Sequence, residues 1–133
     1  MRFSTRTTYG LRAINRLARN YDRGSLSLPS IAKAENISLS YLERLFSELK
    51  KNGLVEAVKG STGGYKLSRP PKKITVFDVV KTLEGKIILF HCLGEDGKIV
   101  CRTKDICGAS KVLLKVQQVI NKTLRSIKLS DLV

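Results

Sequence analysis

The chain has 133 residues, of which 42% are hydrophobic and 27% are charged. This length fits one compact domain with an appended element and excludes two large domains. The apolar runs are too short to cross a bilayer, and the first residues lack the apolar segment of a secretory signal. We therefore expect a cytoplasmic protein with no membrane partner.

Charge gives the first indication of function. The chain carries 25 Lys and Arg against 11 Asp and Glu, a net charge of +14, and both halves of the sequence are basic. A field of this sign attracts polyanions. Nucleic acid is therefore the first partner to consider, and a solvated cationic surface without a specific partner is the alternative.

The first part of the chain predicts two helices. Apolar residues at helical spacing, with arginines between them, predict an amphipathic helix over residues 6–20. After a turn-like stretch, Pro29 stands where a first helical position tolerates a missing N–H group. A second helix of about two turns is expected from there to Asn36.

A third helix and a hairpin complete this region. Ser38 and Ser40 are two possible N-caps, and Ser40 with Glu43 has the spacing of a capping box. Residues 54–58 and 65–67 predict two strands around a glycine-rich loop. Three helices followed by such a hairpin compose a winged helix-turn-helix. The buried stripe of the third helix is expected to be Leu42, Leu45, Phe46 and Leu49.

The second half of the chain predicts two more helices. Thr75, with Asp78 three residues on, can cap a short helix over residues 76–83, which Gly85 ends. Residues 109–128 predict a long final helix, whose broad apolar stripe is more than a winged domain can bury. Much of it is therefore expected to pack against a second protomer. The stripe is formed by Leu113, Val116, Ile120, Leu124 and Ile127, widened by Val112 and Val119.

These elements predict a mainly α fold with a small β-hairpin: a winged helix-turn-helix plus a long C-terminal dimerisation helix. Residues 1–70 would form the DNA-binding region. Residues 71–107 would form a connecting helix and a cysteine-bearing loop, and residues 108–133 the dimerisation helix with the C-terminal segment.

The start of the third helix carries residue types that read DNA. Serine hydroxyls and helix amides suit phosphate oxygens, Arg44 can bind a guanine edge, and Glu43 can accept from a cytosine amino group while rejecting phosphate. Capping alone is the alternative role for the serines and Glu43. In the wing, Lys59 and the small residues after it can approach a minor groove, unless the loop is simply a mobile tip. The predicted DNA contacts are Ser38, Ser40, Tyr41, Glu43, Arg44, Lys59, Gly60 and Ser61.

All three cysteines, Cys92, Cys101 and Cys107, fall in one short stretch. An odd, clustered set argues against a disulfide framework and for a metal or redox site. Three thiolates on one loop suit an iron–sulfur cluster, either [2Fe-2S] or [4Fe-4S]. Zinc, disfavoured by the absence of a C-x2-C pair, and a cluster-free thiol sensor are the alternatives.

Several segments resemble a known family. The stretch ISLSYLERLFSELKKNGLV (37–55), the stretch VKGSTGGYKLS (58–68), the start MRFSTRTTYGLRAI and the closing IKLSDLV are similar to the IscR-type iron–sulfur winged-helix transcription regulators. The resemblance covers essentially the whole chain. It implies a homodimer with crossed C-terminal helices, in which each winged domain reads one half of an imperfect palindrome and a cluster lies near the dimerisation helix.

The resemblance also implies roles for single residues. It makes Ser38, Ser40, Tyr41 and Glu43 DNA contacts, with Glu43 enforcing base preference, and it places Lys59 where the family often has a minor-groove arginine.

The cysteine pattern departs from the family. The spacing is C-x8-C-x5-C instead of C-x5-C-x5-C, and Ser110 stands where the family often has a histidine. The fourth ligand therefore stays open. His91 adjoins Cys92 and cannot easily reach the same iron, and the other candidates are Asp105, Glu95, Ser110, a residue of the partner protomer and an outside molecule.

The sequence thus predicts a sequence-specific regulator, a repressor or dual regulator, whose DNA affinity responds to cluster occupancy. A protein-interaction module for acidic partners is the competing class. An enzyme with a small-molecule substrate is not expected, because the chain has one histidine, no nucleophile elbow and no phosphate-binding loop before a helix.

Overall fold

A computed structural model describes residues 2–61, 63–90, 92–94, 98–100 and 107–133. Over these residues the chain forms five α-helices and one antiparallel hairpin, so the predicted fold class is confirmed. None of the described helices is long and apolar enough to cross a membrane. The elements are α1 (Thr5–Arg19), α2 (Leu28–Glu35), α3 (Leu39–Lys51), β1 (Val55–Val58), β2 (Gly64–Leu67), α4 (Val76–Glu84) and α5 (Gly108–Ser126).

Local capping sets the tight turn between α2 and α3. Asn36 ends α2 in the left-handed conformation, with φ of 54°. The Ser38 side chain then accepts a hydrogen bond from the Tyr41 N–H, at 3.1 Å, and so caps α3. The predicted capping box of Ser40 and Glu43 is wrong, because the helix begins two residues earlier than that box requires.

The core gathers one face of every helix from α1 to α4. The predicted stripe of α3 is buried in full, and Phe46 and Ile14 are among the largest side chains with no exposed surface. The Cβ that an alanine would have at Gly10 lies only 2.1 Å from a Leu83 methyl group, so α1 and α4 approach closely. The core residues include Ala13, Ile14, Leu17, Ile31, Leu42, Leu45, Phe46, Leu49, Leu67, Ile74, Val79, Leu83 and Leu129.

The hairpin is attached to the helices at its root. In its register Val55 pairs with Leu67 and Val58 with Gly64. Leu26 exchanges two backbone hydrogen bonds with Tyr65, so the segment before α2 extends the sheet. The Tyr65 ring also packs edge-on against Phe46 of α3, with centroids 5.0 Å apart. The wing is thereby held at a fixed place beside α3.

The capping box predicted for α4 is confirmed. The Thr75 side chain accepts from the Asp78 N–H, and the Asp78 carboxylate accepts from the Thr75 N–H. After α5 the chain returns to this helix: the Leu129 N–H donates to the Ile74 carbonyl, and the Leu129 side chain is fully buried. The core therefore continues beyond residue 70 and includes α4 and the C-terminal segment.

The final helix spans Gly108–Ser126, close to the predicted residues 109–128. Within the described part of the chain, the only buried residues of this helix are Ser110 and Gln117, and both are polar. On its outer side, Val112 and Val119 expose 62% and 55% of their surface. The apolar stripe that the sequence predicts is thus only partly covered within one chain.

Candidate nucleic-acid interface and cysteine loop

The start of α3 forms an exposed polar surface. Ser38, Ser40, Glu43 and Arg44 are all exposed. Within the described part of the chain, Glu43 and Arg44 make no salt bridge. The Glu43 and Arg44 side chains are therefore not committed to ion pairs within the described fold.

The two serines differ in their contacts. The Ser38 oxygen accepts from the Tyr41 N–H, whereas Ser40 lies inside the first turn with its hydroxyl 3.2 Å from that of Ser38. Ser38 thus has a structural role, and Ser40 has none beyond this pairing. Glu43 takes no part in capping, so the alternative capping roles predicted for Ser40 and Glu43 are not found.

Tyr41 differs from its neighbours. Its ring is half-buried and packs edge-on against Tyr9 of α1, with centroids 5.9 Å apart. Its hydroxyl oxygen is buried without a hydrogen-bond partner among the described residues. In this conformation the hydroxyl does not face a DNA-binding surface, so only the exposed part of the ring is left for the predicted contact.

The wing tip presents small residues and one cation. Lys59, Gly60 and Ser61 are exposed. Gly60 has a φ of 110°, which favours glycine, and its carbonyl accepts from the Gly63 N–H across the turn. Below the tip, a Cβ at Gly64 would lie 2.1 Å from the Leu26 carbonyl oxygen. The backbone is therefore close-packed at the root and accessible at the tip.

One basic residue near this surface, Arg6, was not among the predicted DNA contacts. Arg6, in the first turn of α1, lines a hollow of about 850 Å³ together with Ser40 and Arg44. The basic start of the chain was the available signal, but local spacing cannot show that α1 begins beside α3.

Glu84, the last residue of α4, forms hydrogen bonds with the start of α1. It accepts hydrogen bonds from the Ser4 N–H at 2.8 Å, the Ser4 hydroxyl at 2.6 Å and the Thr7 hydroxyl. Burial opposes the charge on Glu84, but these bonds and the nearby Arg6 outweigh it and lower the carboxyl pKa. A negative charge at a helix N-terminus also interacts favourably with the positive end of the helix dipole. The last turn of α4 thus caps α1.

The cysteine loop is built on short backbone contacts. The Val100 N–H donates to the Cys92 carbonyl at 2.9 Å, and Leu93 pairs with Ile99 in an antiparallel bridge. The bridge thus brings Val100, which directly precedes Cys101 in sequence, next to Cys92. Cys92 and Cys107 are both free and half-buried, whereas Cys101 lies outside the described residues.

The described residues give no complete ligand set. No group of three or more His, Cys, Asp or Glu side chains with metal-binding geometry is found among them. Ser110 is buried, and its hydroxyl donates to the Cys107 carbonyl at 2.8 Å. The other candidate ligands, His91, Glu95 and Asp105, lie outside the described residues.

Comparison with known proteins identifies the family. The model of the Rrf2 family, described as an iron-dependent transcriptional regulator, matches residues 3–133. The chain is 35% identical over all its length to the HTH-type transcriptional regulator IscR of Xenorhabdus nematophila, of which it covers 79%.

Solved structures agree. The chain is similar to the global cysteine regulator CymR of B. subtilis, with a TM-score of 0.83, 32% identity and coverage of 99% and 95% of the two chains. It is also similar to T. potens IscR, with a TM-score of 0.79, 35% identity and coverage of 99% and 85%. These proteins are transcription regulators and not enzymes, as the sequence led us to expect. The chain therefore belongs to the Rrf2 family and is an IscR-type transcription regulator.

Proposed function

We propose that the protein is a homodimeric, sequence-specific DNA-binding repressor that reads an imperfect palindrome in the cytoplasm. The observation that carries this proposal is the exposed, uncommitted polar start of α3 beside a wing that Phe46 and Tyr65 hold in place. A helix end of this kind fits the major groove, and a hairpin tip beside it fits the adjacent backbone or minor groove.

The side chains have separate tasks in this proposal. Ser40 and the first amides of α3 bind phosphate oxygens, and Arg6 adds a cation on the same side of the helix. Arg44 and Glu43 face base edges, where they favour a guanine and a cytosine respectively. Lys59, Gly60 and Ser61 approach the minor groove. Ser38 and Tyr41 mainly hold the reading helix in position.

Dimerisation follows from the uncovered side of α5. Exposed valines on a helix that already packs one side on α4 favour burial against a second copy. A two-fold dimer places two reading helices on two half-sites, which is why the operator is expected to be palindromic.

The three cysteines are proposed to hold an iron–sulfur cluster. Two of them, Cys92 and Cys107, are half-buried free thiols. Val100, which precedes the third cysteine in sequence, donates a backbone hydrogen bond to Cys92. Cys107 occupies the N-cap position of α5, where a negatively charged ligand is favoured. The bound group would supply sensitivity to oxygen, nitric oxide and iron supply. Because Cys107 directly precedes α5, a change in the position of the cysteines would act first on the dimerisation helix.

A cluster-free thiol sensor is the second candidate. It is favoured by the departures from the family's ligand pattern and by the likeness to a cysteine regulator, CymR. In this version the thiols respond to oxidants directly.

Anaerobic purification distinguishes the two. We expect visible absorbance with stoichiometric iron and sulfide, which is lost when any one of the three cysteines is replaced by alanine. His91→Ala is the control and should keep the absorbance. A colourless protein with zinc, or with no metal, would contradict the cluster but not DNA binding, which is measured separately on the same samples.

A further inference from the structure

A second cavity lies away from the reading helix. It has a volume of about 290 Å³ and is lined by residues of α4 and α5 and by residues 85–88, 93 and 94. Nothing in the DNA-reading mechanism uses it. Its size is at the lower end of ligand pockets.

The wall of this cavity is fixed by one buried amide. The Gln117 oxygen accepts from the Leu89 N–H at 3.0 Å, and its nitrogen donates to the Ile87 carbonyl at 2.8 Å and to the Asn121 oxygen at 3.0 Å. Gln117 is 3% exposed. Its hydrogen-bonding groups are all in use, so it builds the wall and leaves recognition to its neighbours.

The other polar side chains of the described lining offer hydrogen-bond donors. Because the Asn121 oxygen accepts from Gln117, its NH2 group is left to donate. The Arg125 guanidinium stacks over Phe77, 4.0 Å from the ring centroid, with N–H groups at its edge. Lys81 adds an ammonium group. None of these three donor groups bonds to another described side chain.

Charge and shape together define the occupant. The described lining contains no acidic residue, and Phe77, Ile88 and Leu93 give it an apolar part. Lys86 also lines it and already has an interaction. Three donors, two of them cationic, around an apolar wall match a carboxylate on a short carbon chain.

The cavity faces away from the exposed valines of α5. Gln117, Asn121 and Arg125 follow one another at intervals of four on α5. At roughly 100° per residue, Val112 and Val119 lie about 140–160° around the helix from Gln117. The two exposed valines and the cavity are therefore on different sides of α5.

We propose that this cavity binds a small organic carboxylate through Lys81, Asn121 and Arg125. Such a ligand would contact α4, α5 and the segment preceding Cys92 together. It would thus give the regulator a small-molecule input separate from the cysteines.

Calorimetric titration of the full chain tests this, with acetate, succinate and citrate as probes at constant ionic strength. We expect at least one to bind once per chain, with a dissociation constant of about 1 mM or tighter. If succinate binds, its neutral analogue succinamide should not. Inorganic phosphate should bind on the order of tenfold more weakly, because it cannot use the apolar wall.

Matched variants locate the site. Asn121→Asp keeps the acceptor for Gln117 but replaces the donor with a negative charge, so it should abolish binding while leaving the circular dichroism spectrum unchanged. Arg125→Gln should weaken binding on the order of tenfold or more. Lys72→Gln removes a charge outside the cavity and serves as the control.

Three results would overturn the proposal. The first is no binding of any of the three carboxylates. The second is equal binding of phosphate or succinamide, which would indicate an unspecific anion site. The third is an equal loss in Lys72→Gln and Arg125→Gln, which would indicate attraction by the net charge of the protein.

Discussion

Ser38 and Ser40 illustrate what separates a structural from a reading residue. Both have a suitable hydroxyl and both precede a helical pattern, so the sequence favoured two N-caps equally. The structure uses Ser38, since its oxygen reaches the Tyr41 N–H. Residue type and spacing thus predicted both serines as candidate N-caps. Which of the two caps the helix depends on where the backbone leaves the left-handed turn at Asn36.

The different contacts of Ser38 and Ser40 predict different effects of replacing each serine with alanine. Ser38→Ala should lower the free energy of unfolding by about 1 kcal/mol, because an N-cap is lost. Ser40→Ala should leave stability within about 0.5 kcal/mol and weaken DNA binding instead. Urea denaturation and fluorescence anisotropy on the same variants measure both quantities. Equal destabilisation by the two would contradict the assignment.

Glu84 predicts a pH dependence of stability. Its pKa is lowered in the folded state, so its contribution is fully present above the ordinary glutamate value of about 4.3 and is lost as the pH falls through the lower folded value. Glu84→Gln should therefore be less stable than the wild-type protein at pH 7, and the difference should shrink as the pH falls through the lowered folded pKa of Glu84. Chemical denaturation at several pH values checks this. Glu48→Gln, an exposed change on α3, should leave the stability at pH 7 within about 0.5 kcal/mol of the wild-type value.

At the scale of elements, the helices and hairpin were predictable because their signals are local. Periodicity in residues 6–20 and the Thr75 and Asp78 box depend only on neighbours in sequence. The contact of Leu26 with Tyr65 joins residues far apart in the chain, and no local pattern reveals it. The same holds for the return of Leu129 to the core.

The root of the wing gives a prediction at this scale. Gly64→Ala brings a methyl group against the Leu26 carbonyl, so the bridge to the helices must open. We expect a loss of about 1 to 3 kcal/mol in stability and weaker DNA binding. Ser61→Ala, at the exposed tip, is the matched control for stability and should be neutral. A Gly64→Ala protein as stable as wild type would show that the wing root is looser than described.

For the whole molecule, the apolar stripe on α5 was readable in the sequence, and its partial exposure supports a dimer. Val112→Glu should shift the protein towards monomers, because it places a charge on the proposed contact. Val133→Glu is the control, since Val133 is equally exposed, at 64% against 62%, but lies at the C-terminus. Sedimentation velocity measures the outcome. Dimers that persist in Val112→Glu would place the contact elsewhere.

Selection of duplexes from a random pool, followed by anisotropy titration, tests the central claim that α3 and the wing read sequence. We expect a selected, imperfectly palindromic site that binds about 1,000-fold or more tighter than shuffled DNA at physiological salt. Affinity should fall at least about tenfold between 50 and 200 mM salt. Glu43→Ala should relax base preference at one position of each half-site. Equal affinity for selected and shuffled duplexes would contradict sequence reading by α3 and the wing.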